Sequence, residues 1–278
     1  MADLPAFAKI LELEPAGEHR LVTPAVPGQD QGFHSAGMLT AIVTCAATRA
    51  FPGQDLRSVH VAFLGAASPA QPLTTEFTVL RGGRQLTAAS VSVTQDGRLC
   101  AHGYTLLGPQ TEDVIRHQPE VPAGIPGPAE SAPAFAENFA EVRAAGGMDP
   151  FDPEQAVPPR WDTWVGTEGL PDGPGLMAAL IAFEANTFLV SAAVLPHRGV
   201  SMHSAHHDLM AVITTSDVVF HALPAGRPWL RFSQESTFAG GGWVNGRGLA
   251  FAADGQLLAS FAEEAMFRNY PAGRPGGM

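Results

Sequence analysis

The sequence predicts an α+β fold built from two tandem copies of one unit, a long helix followed by an antiparallel sheet. Three observations predict it. Two apolar segments of helical composition, 35–50 and 174–195, each precede a train of β-rich runs. The runs in the first half are broken by turn signals, Gly82-Gly83-Arg84 and Gln95-Asp96-Gly97. Landmarks also recur: Val61-Ala62-Phe63 returns as Val218-Val219-Phe220 (63 to 220, an offset of 157), and Asp96-Gly97 returns as Asp254-Gly255 (96 to 254, an offset of 158). Leu99 and Ala101 match Leu257 and Ala259 at that second offset.

With 278 residues, 45% of them hydrophobic and 15% charged, the chain can bury a sizeable core and lacks the composition of a disordered protein. A formal net charge of -11 argues against nonspecific nucleic-acid binding, which needs a basic surface. Cys45 and Cys100 lie in apolar surroundings with no C-x-x-C partner. A disulfide framework or zinc site is therefore not expected, and a reducing cytoplasm is the simpler location. The first twenty residues carry no basic region followed by a long apolar run, so no signal peptide is expected. The longest apolar stretch, GLMAALIAFEANTFLVSAAVL, holds Glu184 and Asn186 inside it, which favours a buried helix over a membrane span.

In chain order, SAGMLTAIVTCAATRA (35–50) reads as the first helix. SVHVAFL, TTEFTVLRGGRQLTAASVSVT and RLCAHGYTLL read as the strands that follow. Residues 109–133 are dense in proline and glycine, as a linker or surface crossing is. PRWDTWVG then reads as a strand, 174–195 as the second long helix, and DLMAVITTSDVVFHAL, WLRFSQESTF, GRGLAFAADG and QLLASFAEEAMFR as strands. The expected division is 1–108, the crossing 109–133, a second unit 134–270 and a disordered tail 271–278. A helix that is apolar all round must be covered on nearly every side, and a sheet wrapped around it does so. That unit is the hotdog architecture, and two copies make a double hotdog.

The segments FHSAGMLTAIVTCAA, SVHVAFL, VLRGGRQLTAASVSVTQDG, IAFEANTFLVSAAVLPHRG, VVFHALPAGRPWLRFSQEST and ASFAEEAMFRN occur in an order and spacing that resemble the double-hotdog acyl-CoA thioesterases of the type II class, the TesB-like enzymes. The resemblance implies hydrolysis of acyl-CoA or related acyl thioesters. It also implies a catalytic trio that positions a water: an aspartate on the second helix, a threonine on the following strand and a glutamine on the last strand. Carried over, these positions fall on Asn186, Ile213 and Glu263. The acid and the amide have exchanged places, and either arrangement leaves one group to take a proton and one to orient the water. Thr215, two residues beyond Ile213, is the expected substitute hydroxyl, because alternate strand residues share a face; Asp217 shares it too.

The last strand carries the main expectation. Residues 257, 259, 261, 263, 265 and 267 are Leu, Ala, Phe, Glu, Ala and Phe, an apolar face interrupted by Glu263. That face is expected to point inward, with Glu263 at an acyl pocket and Glu264 on the other face beside Ser260 and Arg268. Glu184 is the rival of Asn186, since a gap in the helix comparison moves the aspartate position onto it. His203, His206, His207 and Asp208 do not follow a familiar zinc spacing, so no metal is expected. The glycines of TFAGGGWVNGRG are not a phosphate loop and read instead as permitting a bend between strands. Arg81, Arg84 and Arg247 are candidates to meet a CoA phosphate.

The expected function is thioester hydrolysis with Glu263 as general base, Asn186 orienting the water and Thr215 completing the network. Backbone N–H groups at a helix N-terminus would hold the carbonyl oxygen. No cofactor is expected. The expected partner is the acyl-thioester substrate, and assembly as a homo-oligomer stays open. The alternative reading is a non-hydrolytic binder of acyl-CoA or acyl-carrier chains with a degenerate site, favoured by the altered trio.

Overall fold

The computed structural model describes residues 3–26, 32–121, 124–135, 138–205, 208–223 and 228–270. The expected disordered tail, 271–278, lies outside them. Copy one runs α1 (Leu4–Ile10), β1 (Glu14–Gly17), β2 (Arg20–Thr23), α2 (Ala36–Ala50), β3 (Leu56–Phe63), β4 (Leu73–Arg81), β5 (Thr87–Gln95) and β6 (Arg98–Leu107). Copy two runs β7 (Ala132–Ala134), β8 (Val142–Ala144), β9 (Arg160–Gly166), α3 (Leu176–Ala185), α4 (Leu189–Val194), β10 (Leu209–Phe220), β11 (Trp229–Gly240), β12 (Trp243–Ala252) and β13 (Leu257–Asn269). The two short strands and the helix before α2 carry no strong period and are additions to the sequence reading.

Among the described residues, thirteen strands form one antiparallel sheet in the order β1-β2-β4-β5-β6-β3-β10-β13-β12-β11-β9-β8-β7. From the central pair β3 and β10, the order outward is β6, β5, β4, β2 on one side and β13, β12, β11, β9 on the other. The two halves mirror each other in connectivity, as tandem copies of one unit do, and the fold is a double hotdog. One strand of each half, β2 or β9, precedes its helix instead of following it.

The helices pack against the sheet, α2 on strands of copy one and α4 on strands of copy two. α2 starts where the Ser35 hydroxyl accepts the Met38 N–H at 3.1 Å, an N-cap that satisfies a free donor. Its residues 37 to 47 are all buried. α2 and α3 lie antiparallel and in close contact. A Cβ at Gly37 would sit 2.7 Å from the Phe183 carbonyl oxygen, and one at Gly175 would sit 3.0 Å from the Thr48 hydroxyl. Gly175 also has φ 77°, the left-handed conformation that favours glycine at the start of α3.

The second apolar helix is not continuous, contrary to the sequence reading. α3 ends at Ala185 and α4 begins at Leu189. The Asn186 amide donates to the Ala182 carbonyl at 2.8 Å and the Thr187 hydroxyl to the Phe183 carbonyl at 3.2 Å. Side chains that bond back to carbonyls four residues earlier compete with the backbone ladder and bend helices. The segment Leu176–Val194 is long and apolar enough to cross a membrane, but 83% of its most apolar window is buried inside this fold.

The crossing between copies is laid on copy two. The Gln118 amide donates to the Gly255 carbonyl at 2.7 Å and accepts the Leu257 N–H at 3.1 Å, so it grips the β12–β13 turn. The Trp164 indole donates to the Pro126 carbonyl at 2.9 Å. β7 opens at Ala132, two residues before the boundary expected from composition.

Candidate active site

The site grows out of the alternation of β13. Ala259, Phe261, Glu263 and Ala265 are buried, and the residues between them point the other way. Glu264, on the outer face, is hydrogen-bonded to the Thr214 hydroxyl and to the Asn245 amide, both at 3.3 Å. Glu263 is 5% exposed and neither carboxyl oxygen has a partner. Burial holds its pKa well above the ordinary carboxylate range. Burial thus favours the protonated carboxyl, which can donate one hydrogen bond as well as accept them.

Glu263 does not interrupt the core at random. Across the sheet it pairs with Ser216 on β10 and Gly246 on β12, and Gly246 pairs with Ser236 on β11. This polar row divides two apolar clusters. On one side lie Val218, Phe220, Phe232 and Phe261 of the main core. On the other lie Val244, Ala265 and the α4 residues Leu189, Val190, Ala193 and Val194. Leu189 rests on the row itself, because a Cβ at Gly246 would meet its Cδ1 at 1.9 Å. Gly246 is therefore the position where α4 reaches the sheet beside Glu263.

Asn186 closes α3 three residues before Leu189. It is 6% exposed, its Nδ2 is committed to the Ala182 carbonyl, and its Oδ1 has no partner. No hydrogen bond joins it to Glu263. Its Cβ lies 3.4 Å from where a Cβ on Gly37 would be, so it stands against the first turn of α2.

Thr215 is not part of this row. The β10–β13 register shifts between Ile213 and Thr215, so Ile213 pairs with Ala265 and Thr215 with Glu264. The extra residue, Thr214, forms a bulge that turns Thr215 to the outer face, away from Glu263. Asp217 shares that outer face, where its carboxylate meets His60. The inward hydroxyl is Ser216, which is fully buried with its Oγ unpartnered. The sequence held a signal for this. Counting alternate residues back from Phe220 through Val218 reaches Ser216, whereas counting forward from Ile213 reaches Thr215. The two counts disagree by one residue, which is the mark of a bulge.

Gln234, two residues before Ser236 on β11, is 4% exposed with both amide atoms unpartnered. Glu184 lies two residues from Asn186, on the opposite side of α3. Its Oε2 accepts from the Asn138 amide at 3.0 Å, and its Oε1 is unpartnered. Burial raises its pKa to about 8, against the opposing hydrogen bonds from Asn138 and Thr187. His203 and Asp208 are exposed, and His206 and His207 lie outside the described residues. Among the described residues no group of three or more His, Cys, Asp or Glu side chains is placed to hold a metal. Arg247 and Arg160 both pair with Glu235, at 2.8 Å each, beside a surface cavity of about 410 Å³ that does not include Glu263.

Two family models cover nearly all of this architecture. Residues 26–108 match the acyl-CoA thioesterase N-terminal domain and residues 116–267 the acyl-CoA thioesterase C-terminal domain. No curated protein matches the chain in sequence. Among solved structures, the tesB protein of Mycobacterium avium subs paratuberculosis is 25% identical with a TM-score of 0.79, over 95% of this chain and 99% of that one. An acyl-CoA thioesterase II from Mycobacterium marinum is 23% identical with a TM-score of 0.78, over 96% of this chain and 100% of that one. A hot dog protein of unknown function from Alicyclobacillus acidocaldarius shares the fold at 19% identity and a TM-score of 0.77, over 96% of this chain and 99% of that one.

Proposed function

The chain belongs to the acyl-CoA thioesterase family, a family of thioester hydrolases, and on that premise we propose that it hydrolyses acyl-CoA thioesters by general-base attack of water, with Glu263 as the base. The observation that carries this reading is the Glu263 carboxyl, 5% exposed and without a partner on an otherwise apolar strand face. Such a group is costly to hold in a core, and perturbed buried acids are enriched at sites of chemistry.

In the proposed reaction, ionised Glu263 removes a proton from water as the water oxygen bonds to the thioester carbonyl carbon. The tetrahedral intermediate then expels the CoA thiolate, which takes that proton back from Glu263. The free Asn186 Oδ1 accepts a hydrogen bond from the water. The carbonyl oxygen is held at the first turn of α2, where the N–H groups of Ala36 and Gly37 have no acceptor within the helix. Asn186 stands against that turn. The acyl chain lies along the seam between the two apolar clusters. The buried, unpaired Cys45 and Cys100 suit a reducing compartment, and the cytoplasm is the proposed location.

The test is free-thiol release from acyl-CoAs of graded chain length, by wild type and by Glu263→Gln. The substitution is expected to lower kcat by about 10²–10⁴-fold, the usual worth of a general base. Unchanged hydrolysis removes Glu263 from that role. Acyl-CoA binding by the wild type with no thiol release establishes the non-hydrolytic binder instead.

A further inference from the structure

We propose that Gln234 and Trp161 form the far end of the acyl site and select chains that carry a hydroxyl group remote from the thioester. The inference rests on the reading of Glu263 as the group at the reacting carbonyl and adds the class of acyl chain that the site takes.

Gln234 on β11 and Trp161 on β9 are direct cross-strand partners. Both are buried, and among the described residues neither the Gln234 amide atoms nor the Trp161 indole N–H has a hydrogen-bond partner. Their neighbours are aromatic. The Trp161 ring lies 5.5 Å from those of Phe135 and Phe188, and Phe232, two residues before Gln234, lies 6.1 Å from Phe261. A methionine and a phenylalanine would fill the same space without burying unsatisfied donors and acceptors, so packing alone does not explain the pair. Side chains of directly opposed residues start about 4.5–5.5 Å apart at Cβ, so one oxygen atom can reach both. The indole only donates, whereas the amide donates and accepts. A hydroxyl accepts from Trp161 and donates to Gln234 Oε1, which satisfies both. A carboxylate would bury a charge here and has no hydrogen to give to Oε1.

The pair stands where a chain leaving Glu263 arrives. From Glu263 the polar row crosses β12 at Gly246 to Ser236 on β11, and Gln234 is the next buried residue of β11 toward the main core. Two strands across and two residues along amount to about 12 Å, the reach of an extended medium-length acyl chain. The ground between is apolar. A Cβ at Gly248 would strike the Phe261 ring and lie 2.9 Å from Gln234 Cβ. Phe261 therefore lies over Gly248 and joins the strand of Glu263 to Gln234 as one wall. A thioester held at Glu263 has an apolar path for its methylene groups and a polar end for a remote hydroxyl.

The test pairs decanoyl-CoA with ω-hydroxydecanoyl-CoA, and the non-hydrolysable thioethers S-decyl-CoA with S-(ω-hydroxydecyl)-CoA, on wild type, Gln234→Met, Trp161→Phe and Glu263→Gln. In the wild type, kcat/KM for the hydroxylated thioester and calorimetric affinity for the hydroxylated thioether should each be at least about tenfold higher. A site built to bond a hydroxyl penalises the analogue that leaves its groups unpaired. Gln234→Met and Trp161→Phe should each bring both ratios below about threefold. Glu263→Gln should slow both thioesters alike and keep the thioether ratio. β-Hydroxydecanoyl-CoA, whose hydroxyl lies beside the carbonyl, should keep its ratio to decanoyl-CoA in Gln234→Met. Wild-type ratios near one overturn the proposal, and so does a preference that survives in Gln234→Met. An equal loss with the β-hydroxyl substrate places the amide at the reacting end and overturns the distal assignment. Should Trp161→Phe fail to fold, Gln234→Met decides. Thioether selectivity without any thiol release overturns the hydrolytic reading and leaves the hydroxyl site standing.

Discussion

His60 and Asp217 occupy equivalent positions of the two copies and hydrogen-bond to each other, Nδ1 to Oδ1 at 2.6 Å, where β3 meets β10. The offset from 60 to 217 is 157, the same as that of the Val61 and Val218 landmarks. On either side, Ser58 pairs with Val219 and Ala62 with Thr215, each the exchange image of the other at that offset. The pseudo-two-fold axis of the molecule therefore runs between His60 and Asp217. The equivalent position carries an imidazole in copy one and a carboxylate in copy two. His60 is further held by the Ser58 hydroxyl at 3.0 Å and by stacking on Tyr104, ring centroids 4.2 Å apart.

This pair is expected to join the copies measurably but modestly. The side chains are 21% and 49% exposed, so solvent screens them. A double-mutant cycle with His60→Ala and Asp217→Ala, read by denaturant unfolding, should give a coupling of about 0.2–1 kcal/mol. Strict additivity would show that the axis contact contributes nothing.

Glu184 should make stability depend on pH. Burial raises its pKa from the ordinary 4.5 to about 8. Between those values the folded state keeps a proton that the unfolded chain releases, so stability falls as pH rises through this window and levels off above it. Glu263 acts with the same sign. Glu184→Gln removes one of the two titrations. Its melting temperature relative to wild type should climb from pH 5 to pH 8, and a constant difference across that range would contradict the assignment.

The same logic applied to Glu263 gives a kinetic prediction. Because its carboxyl holds its proton above the usual glutamate range, a base at this position becomes competent only as pH rises. The wild-type kcat should increase with pH, with an apparent midpoint above 4.5, and the rise should vanish in Glu263→Gln. A flat wild-type profile from pH 5 to pH 9 would remove Glu263 from the rate-limiting proton transfer.

Gly246 should be intolerant of any side chain. A Cβ there would lie 1.9 Å from Leu189 Cδ1 and 2.7 Å from the Glu235 carbonyl oxygen, and the second clash is with backbone that cannot swing aside. Gly246→Ala is expected to cost about 1–3 kcal/mol, as overpacking does. Adding Leu189→Ala should relieve only the side-chain part. Wild-type stability for Gly246→Ala would mean that α4 does not rest on the sheet at this point.

Much of this molecule can be read without coordinates, for a local reason. Helical composition, turn signals and the two-residue strand period are properties of neighbouring residues, and they mark α2, β3 to β6 and β10 to β13. The same period points Glu263 and Glu264 to opposite faces, and the landmarks at offsets of 157 and 158 disclose the two copies. Three features depend instead on segments distant in sequence. The second apolar helix parts at Asn186 because side chains there bond back to Ala182 and Phe183 while Leu189 reaches down onto Gly246. The strand β10 gains a bulge only when it pairs with β13, some fifty residues later, and that pairing puts Ser216 and not Thr215 opposite Glu263. His60 and Asp217 meet only when the sheet closes between the copies. Periodicity tells which residues share a face of one strand; cross-strand hydrogen bonding decides which residue of the next strand stands beside them.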